Sequence, residues 1–336
     1  MSIVSILIPC YNAEHWIAET IKSGLAQTWQ NKEIIVVNDG STDSSLEIAK
    51  CFESSIVKVI NQENKGAGSA RNRALQEAQG DFLQYLDADD LLSPQKIEKQ
   101  IRLLQQNSPD MLAVCGTVHF FDGQKPDEGI FEDGLPFLVD SNDPLNWLLR
   151  LLGADGRGGM VHPGAWLTPR NVADTAGLWD EQPSPDDDGE YFTRVVLASA
   201  GIRRANSGIS YYRKYKTGSN LSSTNSEKLQ WGALHSTDLK AQHILAKTDT
   251  PRAKKALTRC YKERAVLAYP NYPKVTEAAL ARIQELGGTD YLPCLGGWRI
   301  ELLNKFFGWK FARQASVYYH RYIKMARGIM IFLIKK

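Results

Sequence analysis

Over the first 120 residues, short apolar runs alternate with segments of helical spacing. The runs are "VSILIPC" at 4–10, "KEIIVVNDG" at 32–40, "VKVINQ" at 57–62, "FLQYLDADD" at 82–90 and "MLAVCGTVHFF" at 111–121. Between the first two, "AEHWIAETIKSGLAQ" sets Trp16, Ile17, Ile21 and Leu25 on one helical stripe. "TDSSLEIAKCFE", "AGSARNRALQEA" and "SPQKIEKQIRLLQQ" continue the alternation, the last with Ser93 as N-cap and Pro94 at the first helical position. Strand and helix alternating at this spacing predict an α/β fold, a mostly parallel sheet with helices on both faces. Ligands of such sheets sit beyond the carboxyl ends of the strands. Four polar clusters fall there: Tyr11-Asn12, Asn38-Asp39-Gly40, Asn61 to Asn64, and Asp87 to Asp90.

The pattern changes after residue 121. Residues 122–160 read as loop, with Asp127, Glu128, Glu132 and Asp133 as solvated surface. "GAWLTPRNVADTAGLWDE" and "SPDDDGEYFTRVVLASAG" return to a strand, a turn and an amphipathic helix. Beyond about residue 222 the spacing is helical throughout. The expected organisation is one unit over 1–222, with a first half at 1–120 and a second at 121–222, then a helical region over 223–336. The last forty residues are basic and aromatic, with Glu301 the only acid.

Composition narrows the function classes. The 336 residues carry a net charge of +2, so the molecule as a whole is not built to bind a polyanion. Five scattered cysteines without a C-x-x-C point away from a disulfide framework or zinc site and toward a reducing, cytoplasmic setting. The apolar "SIVSILIP" lacks a basic leader and reads as a first strand rather than a signal peptide. No run reaches the ~18 apolar residues of a membrane span.

"QYLDADDLLSP" places Asp87, Asp89 and Asp90 within four positions at a strand's end. Like charges this close raise one another's pKa unless a cation lies among them. Hard carboxylate oxygens in a D-x-D select Mg²⁺ or Mn²⁺, and such ions bind substrate phosphates as well. The plainer reading is a helix N-terminal acidic cluster, with Asp90 doing no more than favouring the helix start. "KGAGSARNRAL" sets Gly66 and Gly68 before a helix, with Arg71 one turn in, where backbone N–H groups and a guanidinium suit phosphate. It is neither a dinucleotide-binding G-x-G-x-x-G nor a P-loop. Asp39 is placed to accept from a base ring N–H, or else to cap the next helix. "PDDDGEYFTR" offers Asp186, Asp187, Asp188 and Glu190, either an exposed acidic turn or the source of a general base for an acceptor hydroxyl.

Together these stretches resemble the family 2 glycosyltransferases of the GT-A nucleotide-sugar fold, over roughly residues 2–220. The resemblance implies that Pro9, Tyr11, Asn12 and Glu14 line the nucleotide pocket and that Asp39 takes the ring N–H of a pyrimidine. It implies Arg71 near nucleotide and phosphates, Asp87 on ribose or metal, and Asp89 on the divalent cation. The family's acidic pair maps to Asp187 and Asp188, with Asp188 as expected catalytic base and Asp187 as fallback; Glu190, Trp166 and His162 are expected on the acceptor side. Two departures stand out. The pair is Asp-Asp where Glu-Asp is usual, and Tyr215 stands where a metal-binding histidine is often found, with Lys214 and Lys216 beside it.

The implied activity is hexosyltransferase-like: inverting, metal-dependent transfer from a UDP-sugar or other pyrimidine nucleotide-sugar to a glycan or lipid-linked acceptor, as in cell-surface polysaccharide synthesis. The rivals are a catalytically weak nucleotide-sugar-binding protein and a sugar nucleotidyltransferase, the latter without its glycine-rich loop after the first strand. Arg321, Lys324, Arg327, Lys335 and Lys336 interleave with Tyr319, Tyr322, Ile323, Met325, Met330 and Phe332. That tail suits the anionic inner face of a membrane, or packing on the catalytic unit. Nucleic acid is not expected as a partner, because the basic residues have no companion motif.

Overall fold

A computed structural model describes residues 2–132, 135–215 and 226–334, with side chains described as far as residue 319. The strands are β1 Val4–Cys10, β2 Lys32–Asp39, β3 Val57–Gln62, β4 Phe82–Tyr85, β5 Leu91–Leu92, β6 Met111–Phe121, β7 Ile130–Glu132, β8 Trp166–Pro169 and β9 Gly201–Lys214. The helices of the α/β unit are α1 Ile17–Leu25, α2 Ser45–Lys50, α3 Ala67–Glu77, α4 Lys96–Gln105, α5 Pro144–Leu151, α6 Arg170–Ala176 and α7 Asp187–Ala198. Then follow α8 Glu227–Leu245, α9 Pro251–Ala268, α10 Pro273–Glu285 and α11 Trp298–Ile334, the last broken at Gly308 (φ 77°).

The sheet runs β3-β2-β1-β4-β8-β6-β9-β5, with β7 on β6. The long ladders are parallel: β1 with β2 and β4, β2 with β3, and β6 with β9. The antiparallel ladders, β4–β8, β6–β8, β5–β9 and β6–β7, are short. Alternation along β1 and β2 divides their side chains between two faces. Ile6, Ile8, Ile34 and Val36 pack against Ile17 and Ile21 of α1, Ala49 of α2, and Ile97 and Ile101 of α4. Leu7, Ile35 and Val37 belong to a second cluster with Ala70 and Ala74 of α3 and Tyr191 and Val195 of α7.

That second cluster continues into the C-terminal helices through Leu234, Ile244, Leu257, Tyr261, Val275 and Ile283. So α8 to α10 share a core with the α/β unit. The expected boundary at 222/223 lies outside the described residues, as do Lys216 and the tail side chains from Arg321 onward. All five cysteines are free thiols.

Several expectations need correction. Ser93 does not cap α4, which starts at Lys96. The Ser93 hydroxyl instead accepts from the Ile209 amide, tying the turn to β9. The fourth strand stops at Tyr85, because Leu86 to Asp90 bend to reach β9. The stretch 122–160 contains β7 and α5 as well as loop.

Candidate active site

Parallel pairing aligns the strand ends. Cys10 is opposite Asn38, and Asn38 is opposite Asn61, to which it donates at 2.7 Å. Just beyond this row lie the residues expected to hold a nucleotide. Pro9 sits in β1, and the Tyr11 side chain stands half exposed past its end. Asn12 takes the left-handed conformation (φ 49°), and its Oδ1 accepts from the Thr42 amide at 2.8 Å. Glu14 Oε2 accepts from the Ser44 amide at 3.0 Å. Asn12 and Glu14 therefore brace the loop that leads into α2.

Asp39 is buried. Its Oδ1 accepts from Gln62 Nε2 at 2.8 Å and the Lys65 amide at 3.0 Å, and its Oδ2 from the Gly66 amide at 2.8 Å. Two bonds fill Oδ1, while Oδ2 keeps one lone pair for a base ring N–H. This corrects two readings. Asp39 does not cap α2, and the Gly66 N–H is already satisfied, so it is not a free phosphate donor. Gly66 holds φ 94° ahead of α3, and Gly68 packs against the Asp180 carbonyl, where a side chain would collide.

Arg71 is the centre of the arrangement. Its side chain is 7% exposed, donating from Nη1 to Asp187 Oδ2 at 2.6 Å and from Nη2 to Asp87 Oδ1 at 3.0 Å. Its plane lies over the Trp179 ring at 4.5 Å. Burial disfavours the guanidinium charge, but Asp187 and Asp87 together hold it firmly protonated. Thus the D-x-D turn and the acidic start of α7, 100 residues apart by numbering (87 to 187), share one cation. Beneath them Trp179 stacks on Tyr191 at 3.9 Å, and Trp166 on Phe192 at 5.1 Å.

The D-x-D turn has a second cation that the sequence reading missed. Arg213 in β9 is buried; its amide donates to Asp90 Oδ1 at 2.9 Å and its Nε to the Asp89 carbonyl at 2.8 Å. Asp90 therefore fastens the turn to β9 rather than favouring α4. The signal was an arginine in an otherwise apolar-aromatic strand, "YYRK". Burial and then the neighbouring carboxylates push Asp90 well above the carboxylate range. Burial also raises Asp89, and Asp87 adds to this, against the Tyr215 hydroxyl that donates to Asp89 Oδ2 at 2.6 Å.

The fit to a divalent ion follows from this donor set. Among the described residues no three histidine, cysteine or acidic side chains are placed to hold a metal by themselves. Asp87 and Asp89 offer hard oxygens in a turn whose excess negative charge a cation would relieve. Such oxygens would suit a hard divalent ion such as Mg²⁺ or Mn²⁺. Tyr215, at the position considered for a metal histidine, bonds Asp89 instead.

Asp188 and His162 border a cavity of about 580 Å³ with Asp186, Tyr212, Lys214, Lys240 and residues of α9. Burial, then Asp187 and Asp186, push the Asp188 carboxyl up to about 7. Asp187 is also raised by burial, although Arg71 opposes the rise. Asp186 behaves oppositely: burial works against its charge, but Lys240 at 2.6 Å holds it below the usual range. The acidic turn is therefore not solvated surface. His162 stacks on Tyr212 at 3.9 Å, and burial, then His119, lowers it to about 4, so its ring is neutral. Trp166 is buried and borders a small cavity of about 70 Å³ beside Asp186 and Asp188. Glu190 does not face the acceptor side: it is buried, and both its oxygens are held by Arg194, at 2.6 and 2.8 Å.

Residues 5–171 match the family model described as glycosyl transferase family 2. The chain is 44% identical over 115 residues to an uncharacterized glycosyltransferase of Rickettsia typhi, a match covering 34% of this chain and 36% of that protein. It is 34% identical over 141 residues to glycosyltransferase GlyG of Streptococcus pneumoniae, covering 41% and 46%. These matches span less than half the length of the curated relatives. S. aureus TarS 1–349 in complex with UDP superposes with a TM-score of 0.64 at 17% identity, over 96% of this chain and 91% of that one. The mannosyltransferase PcManGT of Pyrobaculum calidifontis, in complex with GDP-Man and Mn²⁺, superposes at 0.54 and 17%, over 94% and 84%. The architecture is thus the GT-A fold. Residues 5–171 of the chain are a family 2 glycosyltransferase domain.

Proposed function

We propose that the protein transfers a sugar, with inversion, from a UDP-sugar or other pyrimidine nucleotide-sugar to a hydroxyl of a glycan or lipid-linked acceptor in cell-surface polysaccharide synthesis. The observation that carries this reading is the Arg71 bridge, which sets the D-x-D turn against the acidic pair beside the cavity. Asp39 receives the base through its remaining lone pair, with Tyr11 and Pro9 alongside. Asp87 and Asp89 would hold the divalent ion, which when bound would supply positive charge to the diphosphate leaving group. Asp188, ionised near neutral pH, takes the acceptor hydroxyl proton as that oxygen attacks the anomeric carbon. Nucleoside diphosphate leaves from the opposite side. The UDP named with TarS supports the choice of nucleotide.

Calorimetry tests the donor side. UDP should bind in the presence of Mg²⁺ or Mn²⁺ and bind at least tenfold more weakly after chelation, and Asp89→Asn should lose most of that metal dependence. Equal UDP affinity with and without metal would overturn the assignment of Asp89.

The membrane is proposed as a partner on a face of α11. Trp298, Leu302, Phe306, Phe307 and Phe311 are exposed there, beside exposed Arg299, Lys305 and Lys310. Glu301 turns inward, accepting from the Leu295 amide at 2.7 Å. Apolar side chains interleaved with cations suit the boundary of an anionic bilayer. No helix among the described residues is long and apolar enough to cross a membrane. Replacing Phe306, Phe307 and Phe311 with serine should release the protein from phosphatidylglycerol vesicles by sedimentation. Unchanged sedimentation would remove this face from the interface.

A further inference from the structure

The large cavity beside Asp188 is closed by the helices appended to the α/β unit. Lys240 comes from α8, and Arg259, Cys260, Glu263 and Arg264 from α9; the opposite walls carry His119, His162, Tyr212 and Lys214. Most of its charges are already matched. Lys240 is paired with Asp186 at 2.6 Å, Arg259 with Glu263 at 3.3 Å, and Glu132 with His119 at 2.8 Å. Arg264 and Lys214 are different. Each lines the cavity, and neither side chain has a hydrogen bond or ion pair with another described residue. The Arg264 side chain is half-buried, so its guanidinium is partly stripped of water; it acts on Asp186 only through space, and that carboxylate is already bonded to Lys240. A guanidinium in that condition is satisfied by an oxyanion that accepts two parallel N–H bonds.

We propose that this cavity binds an acceptor carrying a phosphate group, with Arg264 as its main ligand and Lys214 as a second cation on the facing wall. The inference rests on the cavity being the acceptor side of the transferase. It deepens that reading by naming an anionic class of acceptor and giving the C-terminal helices a share in selecting it. Two cations on separate walls suit a phosphate, whose oxygens point in several directions, better than a planar carboxylate.

The test is calorimetry on the full chain with UDP and Mg²⁺ held at saturation, so that the donor site cannot take the probe. The probes are inorganic phosphate, glycerol 3-phosphate and farnesyl phosphate in detergent, with glycerol, glycerate and farnesol as counterparts. The phosphate-bearing probes should bind at least tenfold more tightly than glycerol, glycerate or farnesol. Arg264→Gln should weaken that binding at least fivefold, Arg264→Lys less, with UDP affinity within twofold of wild type as evidence of folding. Tighter binding of glycerol 3-phosphate than of farnesyl phosphate would assign the phosphate to a soluble or polymeric acceptor, and the reverse to a lipid carrier; both uphold the proposal. Glycerol, farnesol or glycerate binding as tightly as the phosphate probes would overturn it. So would Arg264→Gln and Arg264→Lys both matching wild type. If wild type takes up no UDP, the transferase reading fails, and this inference with it. If UDP binds and phosphate does not, this inference alone fails.

Discussion

Asp188→Asn should reduce sugar transfer by about 10²–10⁴-fold, the range that positioned acid–base groups supply, while UDP affinity stays within twofold. The amide keeps the shape and the hydrogen bond to the Gly189 amide, seen at 2.8 Å, but cannot take a proton. The pH profile adds a second, independent readout. Because the Asp188 carboxyl is held up to about 7, the wild-type rate should fall about tenfold for each unit below that value. The residual rate of Asp188→Asn should lose that limb. The stability consequence has the opposite sense. The native state keeps a proton that the unfolded chain releases near the ordinary value of 3.8, so the contribution of this group to stability is full below 3.8 and is lost as pH rises toward about 7. Removing the ionisation should therefore give Asp188→Asn a higher melting temperature than wild type at pH 8. Normal transfer by Asp188→Asn would move the base role to Asp187.

Arg71→Met should be the most destabilising single change in the site. It leaves the buried Asp187 carboxylate and the partly buried Asp87 without their shared cation, and removes the guanidinium from the face of Trp179. Breaking a buried pair on one side costs about 3–5 kcal/mol, because the partner is left uncompensated. Arg71→Lys keeps the charge but has no fork to span two carboxylates, so it should recover only part of the loss. Urea unfolding at pH 7.5 measures both. Equal stability of Arg71→Met and wild type would show that the bridge does not hold the two acidic segments together. Under acid the difference should shrink as Asp187 becomes protonated, which separates an electrostatic cause from lost packing.

Much of this protein could be read along the chain. The β1, β3 and β6 segments fall at the residues where apolar runs begin and end, because each run is flanked by turn-forming or charged residues. The strand-end polar clusters were legible for the same reason, and the parallel ladder does place them on one edge. What a chain position does there was less legible. Asn12, Glu14 and Asp39 were expected to face a ligand, and they also hydrogen-bond neighbouring loops that sequence spacing does not place beside them. Glu190 shows the limit most clearly: its one-turn spacing to Arg194 permitted the pair, but only packing buries both behind α7.

By itself the sequence determined the alternation that makes a parallel sheet, the family-typical acids Asp39, Asp87, Asp89, Asp187 and Asp188, and the helical character of the C-terminal region. Those features are local, set by periodicity and by residue types at fixed short spacing. The tertiary structure decided which cation answers which acid. Arg71 serves Asp87 and Asp187, the Arg213 guanidinium pairs with Glu19 and Asp122 while its amide fastens Asp90, Lys240 neutralises Asp186, and Arg264 has no ion-pair partner among the described residues. Charge interactions act through space between segments a hundred residues apart, and burial sets their strength, so only the folded chain could assign them.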